Sequence, residues 1–330
     1  MKGKAVVFDD RLKVQVREVE LPEPGPQDVV IDVKVSWISN GTESSFLRGE
    51  RLGGDTPYVT GAAWPFPIVA GYQKTGRVRS VGAEVTDFSP GDHVFATLSK
   101  VNGMFDPMAG HVSPAITPAD QVWKLPEGAD GTAFSGTVLA QVGYNCGMRP
   151  AVSPGNCAIV LGDGMVGHWT AQTLLHRQAD VLVAGKHDYR LQMLASGLKG
   201  KNITVSPLRT AATEFLKGRG VAIIVDTVGD LGAVDELLPL LERNSYFVSA
   251  GFYGRAGSFD IQKLRNQEIT LQAPSGWTRG RINETIAGIH DGWLNTQSLV
   301  THRFPVDQAA DAWRLIADRT EPHLGVVLDW

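Results

Sequence analysis

The chain has 330 residues, of which 43% are hydrophobic and 20% are charged, and its formal net charge is −4. This balance is typical of a globular protein and excludes the strong basic excess of nucleic-acid-binding or membrane-surface proteins. The N-terminus lacks a long apolar segment, and two cysteines, Cys146 and Cys157, do not suggest a disulfide framework. We therefore expect a cytoplasmic protein with no nucleic-acid or membrane partner.

The first third of the chain consists of short runs rich in β-branched residues, such as "KVQVREV" and "VVIDVKVSWI", broken by turn sequences such as "PEPGPQD". Short strands at this spacing predict a small antiparallel barrel. Residues 47–67 contain four glycines and three prolines. This composition predicts a long loop, and long loops in compact domains often carry function.

Near residue 150 the pattern changes to short apolar runs separated by helical segments. Apolar runs cover 157–162, 180–185, 202–206, 221–226, 245–251 and 268–274, and the intervening helices include 189–196 and 231–243. Apolar strands that alternate with helices indicate a parallel sheet covered on both faces. The predicted class is therefore α/β, with a doubly wound Rossmann sheet and a β-rich domain.

The first apolar run is followed directly by "GDGMVG", which places Gly162, Gly164 and Gly167 in the spacing G-x-G-x-x-G, with Met165 and Val166 between them. A strand precedes this motif and a helix follows it, which is the context that a dinucleotide site requires. Gly162 would permit the tight turn, Gly164 the approach of a pyrophosphate, and Gly167 the packing of helix on strand. Dinucleotide binding is therefore predicted.

The end of the second parallel strand predicts which dinucleotide binds. NAD sites usually carry an acidic residue there for the ribose 2′-hydroxyl. This chain has Gly185, followed by Lys186, His187 and Arg190. Glycine leaves room for a 2′-phosphate and the cations attract it, so the sequence favours NADP(H). Asp188 would oppose this choice, but its position suggests a helix cap.

Several segments resemble the medium-chain dehydrogenase/reductase superfamily over nearly the whole chain. They are "LPEPGPQDVVIDVKVSWIS", "GAEVTDFSPGDHVF" and "VSPGNCAIVLGDGMVG". "SWISNGTE", "AGYQ" and "VVLDW" look closest to the branch around hydroxyethyl-bacteriochlorophyllide dehydrogenase. The resemblance implies a GroES-like catalytic domain at 1–136, a Rossmann domain at 137–277 and a return segment at 278–330. It also implies a homodimer, and a small-molecule substrate bound in the cleft between the domains.

The resemblance further implies which loops would border the ribose and nicotinamide. These loops carry Thr227 and Val228, Gly251 and Phe252, and Ser275. Arg255 and Arg279 are candidates for additional phosphate or substrate contacts.

Zinc-dependent members of this superfamily hold their metal with cysteine, histidine and acidic residues. At the matching positions this chain has Asn40 for the cysteine, Tyr72 for the histidine and Gln73 for the adjoining glutamate. Thr42 stands at the proton-relay hydroxyl and Glu43 at the acidic partner. Amide and phenol groups are poor zinc ligands, so the resemblance predicts a member without zinc.

Without a metal, another group must handle the proton during hydride transfer. Tyr72 is the first candidate, and Lys74 two residues later would lower its pKa if both side chains share a face of a strand. The alternative is that Tyr72 only packs and Lys74 faces solvent. Thr42 and Glu43 are second candidates, as a hydroxyl and carboxylate that pass the proton outward; the alternative for Glu43 is a structural role as the partner of a backbone N–H or an arginine.

Amide side chains complete the predicted site. Asn40 and Gln73 would orient substrate oxygens through hydrogen bonds. His111 could also line the cleft, although a lone histidine is more often structural.

The predicted activity is an NADP(H)-dependent, zinc-independent oxidoreductase that acts on an alcohol or a ketone. Three alternatives remain open. The chain could reduce quinones or conjugated C=C bonds, act as an epimerase or lyase with tightly bound NAD(P), or serve as a nucleotide-binding regulator without turnover.

Overall fold

A computed structural model of the protein describes residues 1–53, 56–105, 108–254 and 257–330. The chain divides into two compact units. The β-rich unit comprises Met1–Val138, Ile282–His290 and Thr296–Trp330, and the parallel-sheet unit comprises Leu139–Arg281 and Asp291–Asn295. Within the described ranges, no helix has the length and apolar character needed to cross a bilayer.

Strands dominate the first part of the chain, helices and strands alternate in the middle, and both occur at the end. The first part of the β-rich unit contains β1 (Lys2–Asp10), β2 (Lys13–Glu20), β3 (Asp28–Trp37), α1 (Asn40–Leu47), β4 (Arg51–Gly53), β5 (Thr56–Pro57), β6 (Ile68–Val69), β7 (Lys74–Val81), β8 (His93–Ala96), β9 (Val112–Ser113), β10 (Ala115–Pro118), β11 (Val122–Lys124) and α2 (Gly131–Phe134). The parallel-sheet unit contains α3 (Thr137–Met148), β12 (Cys157–Leu161), α4 (Met165–His176), β13 (Asp180–Gly185), α5 (Asp188–Leu191), β14 (Lys199–Asn202), α6 (Leu208–Leu216), β15 (Val221–Asp226), α7 (Leu231–Leu237), β16 (Leu241–Ser249), α8 (Gln262–Arg265) and β17 (Thr270–Gln272). The chain ends with α9 (Arg279–His290), β18 (Val300–Pro305), α10 (Ala309–Asp318) and β19 (Gly325–Asp329).

Two larger, mainly antiparallel sheets and the short antiparallel pair β4–β5 form the β-rich unit. One has the order β2-β1-β6, with β9 also paired to β1. The other has the order β11-β8-β7-β3-β19-β18, with β10 also paired to β3. Strand β3 lies in the middle of the second sheet because residues on both of its faces are apolar and buried. The late strand β19 pairs with the same β3, so the end of the chain completes this sheet.

A single parallel sheet forms the second unit, in the order β14-β13-β12-β15-β16-β17. Renumbered within the unit, this is the order 3-2-1-4-5-6 of a doubly wound Rossmann sheet. Strands β12 and β15 are fully buried, as their unbroken apolar sequences predict. The order of the strands reverses between these two, and in this fold ligands bind at the carboxyl ends of the strands near such a point. The predicted fold class is confirmed.

Some predicted element boundaries are wrong, each for a local reason. The helix predicted over 231–243 ends at Leu237, and β16 already begins at Leu241 because this residue pairs with Val221 of β15. The strand predicted at 202–206 lies earlier in the chain and ends at Asn202. Strand β14 is at the edge of the sheet, where its backbone pairs with β13 but its side chains are mostly exposed, so its sequence is not an apolar run. The helix predicted over 189–196 is limited to α5, which ends at Leu191.

Candidate functional site

The glycine-rich loop after β12 has the backbone that a dinucleotide site needs. Gly162 has φ +113°, a conformation that favours glycine, and a Cβ atom on it would lie 2.4 Å from Thr227 Oγ1. A Cβ on Gly167 would lie only 2.1 Å from the carbonyl oxygen of Gly162, so the first turn of α4 can approach β12 only with glycine at this position. Gly164, the N-cap of α4, has open space around its Cα. Met165 and Val166 follow it in the first turn of α4, and the N–H groups at the start of a helix can bind phosphate.

A buried carboxylate organises the loop after β15. Asp226 is 0% exposed, and its oxygens accept from the N–H groups of Val228, Gly229 and Asp230 at 2.8, 3.0 and 2.9 Å. Thr227 is fixed as well, because its Oγ1 donates to Leu161 O at 2.7 Å. The side chain of Val228 is therefore held outward, 54% exposed, beside the glycine-rich loop.

The loops after β16 and β17 reach the same edge of the sheet. A Cβ on Gly251 would lie 2.0 Å from the N atom of Gly229, so this residue must be glycine for the two loops to touch. Phe252 follows it with its carbonyl oxygen close to Gly229. Ser275 lies past the end of β17 and is exposed. The carboxyl ends of parallel strands share one edge, so the predicted cofactor residues of this unit lie along that edge.

The end of β13 differs from the sequence-based expectation. Gly185 does not leave an empty space, because a Cβ on it would lie 2.4 Å from Oδ2 of Asp163. Asp163 is the second residue of the glycine-rich motif and is not among the site residues predicted from the sequence. The available signal was an acidic residue between two glycines that are expected to face a pyrophosphate. Asp163 Oδ2 accepts from the N–H groups of Lys186 and His187, both at 2.7 Å.

The predicted cations of this region are partly engaged by that carboxylate. His187 Nδ1 lies 3.1 Å from Asp163, and Arg190 lies 3.6 Å from it. Lys186 is exposed and forms no ion pair with any residue that the structure describes. Asp188 is not the helix cap, since His187 holds that position, and Asp188 Oδ1 instead accepts from Asn202. Arg255 lies outside the described residues.

In the β-rich unit, the predicted site residues surround the start of α1. Glu43 is 2% exposed, and its Oε1 accepts from the N–H of Ser39, the N-cap residue, at 2.7 Å. Its Oε2 lies 3.0 Å from Nε2 of His111, whose Nδ1 lies 2.8 Å from Ser36 Oγ. Trp330 Nε1 donates to the same Ser36 Oγ at 2.8 Å. His111 is therefore a fully buried partner of Glu43 and does not line an open surface.

Two glycines allow this buried chain of hydrogen-bonded side chains to form. Gly71 has φ +81°, and a Cβ on it would lie 2.5 Å from the His111 ring. A Cβ on Gly110 would lie 2.2 Å from the N atom of Tyr72. The segments before Tyr72 and His111 can thus lie in direct contact, and hydrogen bonds such as His111 N to Ala70 O join them.

Tyr72 is buried next to Glu43, with Thr42 half-buried nearby. Burial raises the pKa of Tyr72 to about 12, and the charge of Glu43 adds to this, while hydrogen bonds to Ser39 and Thr42 act in the opposite direction. Tyr72 and Glu43 also line a small cavity of about 10 Å³, whose other walls are mainly apolar and include Phe46. This volume accommodates about one water molecule.

The predicted effect of Lys74 on Tyr72 is wrong. Lys74 is fully buried, and its Nζ donates to the carbonyl oxygens of Thr97 and Ala109 at 2.6 and 3.1 Å. The ammonium is thus held on backbone carbonyls, and the pKa of Tyr72 is raised by burial and not lowered. Burial lowers the pKa of Lys74 to about 7. The alternative that Lys74 faces solvent is wrong as well.

The two amides are held by backbone carbonyls. Asn40 Nδ2 donates to Leu324 O at 2.7 Å, and Gln73 Nε2 donates to Trp37 O at 3.2 Å. Asn40 Oδ1 is buried and has no donor among the described residues. In the described part of the chain, no group of three or more His, Cys, Asp or Glu side chains has the arrangement of a metal site.

Comparison with known proteins gives a family match within the β-rich unit and a relative that aligns over the full length of the chain. Residues 25–127 match the model of the alcohol dehydrogenase GroES-like domain. The chain is 27% identical to 2-desacetyl-2-hydroxyethyl bacteriochlorophyllide A dehydrogenase of Rhodobacter capsulatus, over 100% of this chain and 99% of the relative.

Solved structures share the fold over the full length. An Escherichia coli CFT073 protein described as a short chain alcohol dehydrogenase in complex with NADH has a TM-score of 0.85 at 21% identity, covering 100% of this chain and 99% of that one. A Sinorhizobium meliloti 1021 protein described as a zinc-binding dehydrogenase bound to NADP has a TM-score of 0.84 at 18% identity, covering 100% of both chains. The chain is thus similar to alcohol dehydrogenase-like proteins, in sequence at the GroES-like match over residues 25–127 and in fold over its full length.

Proposed function

We propose that the protein is an oxidoreductase that transfers hydride between a nicotinamide dinucleotide and an alcohol or ketone substrate. The observation that carries this proposal is the glycine-rich loop at the carboxyl edge of the parallel sheet. Its three glycines meet the three separate requirements of a dinucleotide site. Gly162 permits the tight turn, Gly164 leaves room for the pyrophosphate to approach the backbone, and Gly167 lets the helix pack closely against the strand. The full-length relative named a dehydrogenase supports the alcohol substrate class.

We propose that the reaction proceeds without zinc. The side chains at the superfamily's zinc positions do not fit the metal, because Asn40 and Gln73 offer amides and Tyr72 offers a phenol. The amides also donate to backbone carbonyls. Glu43 is already bound by His111 and by the Ser39 N–H. The remaining donor set is too small and too occupied for a tetrahedral site.

Tyr72 is the proposed proton donor in the direction of ketone reduction. A phenol whose pKa is about 12 stays protonated at neutral pH, so it can donate to a carbonyl oxygen that is gaining negative charge. In the opposite direction the same Tyr72 oxygen takes the proton back from the alcohol, and the hydroxyl of Thr42, which hydrogen-bonds to Tyr72, can relay that proton onward. Glu43 is held in place by its hydrogen bonds with the His111 ring and the Ser39 N–H. The cofactor, when bound, supplies or accepts the hydride.

NADP(H) is the proposed cofactor. Lys186 is exposed at the end of β13, and His187 and Arg190 lie within the same loop and helix. These side chains can supply positive charge to a 2′-phosphate. A carboxylate on residue 185 itself, which would exclude the phosphate sterically, is absent because this residue is glycine.

Purified protein tests the proposal when it is titrated with NADPH and NADH and then assayed with ketones and with enones. We expect micromolar binding and consumption of NADPH with ketones. Consumption with enones alone would support a C=C reductase instead. Cofactor that stays bound during turnover, without net consumption, would support an epimerase. If neither dinucleotide binds, the proposal is refuted.

The absence of zinc is tested separately. The protein is incubated with ZnSO₄, passed through a desalting column and analysed for metal by mass spectrometry, and ketone turnover is measured with and without EDTA. We expect zinc far below one atom per chain and turnover that EDTA does not change. One retained zinc per chain together with loss of turnover in EDTA would refute the zinc-free mechanism.

A further inference from the structure

The carboxylate of Asp163 lies where the adenosine ribose of a dinucleotide is expected. In this fold the end of the second strand, which is β13, approaches the ribose 2′ position. A Cβ atom on Gly185 would lie 2.4 Å from Asp163 Oδ2 and 2.7 Å from its Cγ. The carboxylate therefore fills the space into which a side chain of residue 185 would point. The chain thus has an acidic group at this place, supplied by the glycine-rich loop.

The donors around this carboxylate are those of an anion site. Two consecutive N–H groups, of Lys186 and His187, each donate to Oδ2 at 2.7 Å. His187 Nδ1 lies 3.1 Å from both carboxylate oxygens, and the guanidinium of Arg190 lies 3.6 Å from Oδ1. Consecutive backbone N–H groups flanked by basic side chains are a donor set that binds phosphate. Asp163 occupies that set from within the protein.

Occupation by Asp163 affects the two cofactors differently. Its side chain is only 6% exposed, so solvent screens its charge weakly. A 2′-phosphate would meet a like charge and would find two of its N–H donors already taken. A 2′-hydroxyl carries no charge and can donate to a carboxylate oxygen. The same group thus opposes NADP(H) and leaves NAD(H) almost unaffected.

We propose that Asp163 is a specificity-determining residue, which lowers the affinity for NADP(H) relative to NAD(H) by occupying the 2′-phosphate position. It opposes the attraction exerted by Lys186, His187 and Arg190, so the preference for NADP(H) is smaller than these side chains alone would produce. The inference rests on dinucleotide binding as stated in the proposed function, and it adds the group that sets the cofactor ratio.

The test compares dissociation constants for NADPH and NADH, measured by nucleotide fluorescence in one buffer, between the wild type and Asp163→Asn. Asparagine keeps an oxygen that can accept from the two N–H groups and removes only the charge. We expect the ratio Kd(NADH)/Kd(NADPH) to rise at least about tenfold, or about 1.4 kcal/mol. Asp188→Asn is the matched control, since Asp188 is an exposed carboxylate of the same region bound to Asn202. Its ratio should change less than about threefold.

The outcomes separate this inference from the proposed function. If both dinucleotides bind and Asp163→Asn changes the ratio less than tenfold, the inference is overturned, and an equal loss of both affinities would show that Asp163 only shapes the loop. A similar shift in Asp188→Asn would reveal a general effect of net charge and overturn it too. If the wild type binds neither cofactor, the proposed function itself fails. Should Asp163→Asn not fold, Asp163→Ser is held to the same threshold.

Discussion

Lys74 is predicted to give the protein a distinct dependence of stability on pH. Its side chain is fully buried, has no acidic partner among the residues described, and donates only to the carbonyl oxygens of Thr97 and Ala109. Burial lowers its pKa from 10.5 to about 7. Because the folded-state pKa lies below the unfolded one, the unfolded chain binds more protons between these two values. Stability from this group therefore rises with pH between about 7 and 10.5.

The size of the effect follows from the two pKa values. One pKa unit corresponds to about 1.4 kcal/mol, so the full difference of 3.5 units (10.5 − 7) amounts to about 5 kcal/mol of destabilisation at low pH. Between pH 7 and 9 the linkage relation returns about 2 kcal/mol of this. Lys74→Met removes the titrating group at similar volume. It leaves two carbonyls without this donor, which is a cost that does not depend on pH.

Urea unfolding at pH 7 and pH 9, followed by tryptophan fluorescence, measures this difference. Relative to Lys74→Met, the wild type should gain about 2 kcal/mol of unfolding free energy from pH 7 to pH 9. Lys34→Met is the control, because Lys34 is an exposed lysine of the neighbouring strand β3 and should leave the pH dependence unchanged. The same pH dependence in the wild type and Lys74→Met would refute the reasoning.

Three further predictions concern the candidate site. Gly167→Ala should lower the unfolding free energy by about 1–3 kcal/mol, because its Cβ would clash with the Gly162 carbonyl. The Cβ of Gly164→Ala would lie in open space, so this variant should keep its melting temperature and bind the dinucleotide more weakly. Equal melting temperatures for both variants would contradict this. Tyr72→Phe should reduce kcat for ketone reduction at least about tenfold with cofactor Kd unchanged, and wild-type turnover would leave Tyr72 a packing residue. Lys186→Ala should weaken NADPH about tenfold and NADH far less, as direct titration will show; equal losses would argue against a phosphate contact.

The parallel sheet could be predicted from the sequence because its buried strands are continuous runs of apolar residues. Strand β15 has the predicted bounds, 221–226, and β12 differs by one residue, since every side chain in both strands is buried and nearly all are apolar. The prediction failed where pairing overrides local preference. Residues after Pro239 continue a helical pattern of leucines, but Leu241 instead pairs with Val221 and extends β16.

The glycines of the candidate site were predictable because each is needed for the backbone conformation or the close packing at its own position. The charged groups were not, since their partners are distant in the sequence. Glu43 meets His111 across 68 residues, and Lys74 reaches Ala109 across 35. Spacing along a strand suggested that Lys74 shares a face with Tyr72, yet its ammonium binds backbone carbonyls. Asp163 lies inside the motif, but only the fold shows that its side chain turns to the end of β13.

The late strand β19 has a consequence for biosynthesis. It pairs with Val35–Trp37 of β3, whereas β10 pairs with the earlier part of the same strand. The ribosome must therefore add 290 residues after Trp37 (327 − 37) to reach Val327, the partner of Trp37 on β19, before this edge of β3 can be paired. At about 5–20 residues per second, this takes roughly 15–60 s. The Rossmann sheet is encoded in one continuous stretch and can form earlier, so the nascent chain would carry this sheet while one edge of β3 is still unpaired, and an unpaired strand edge is prone to aggregation.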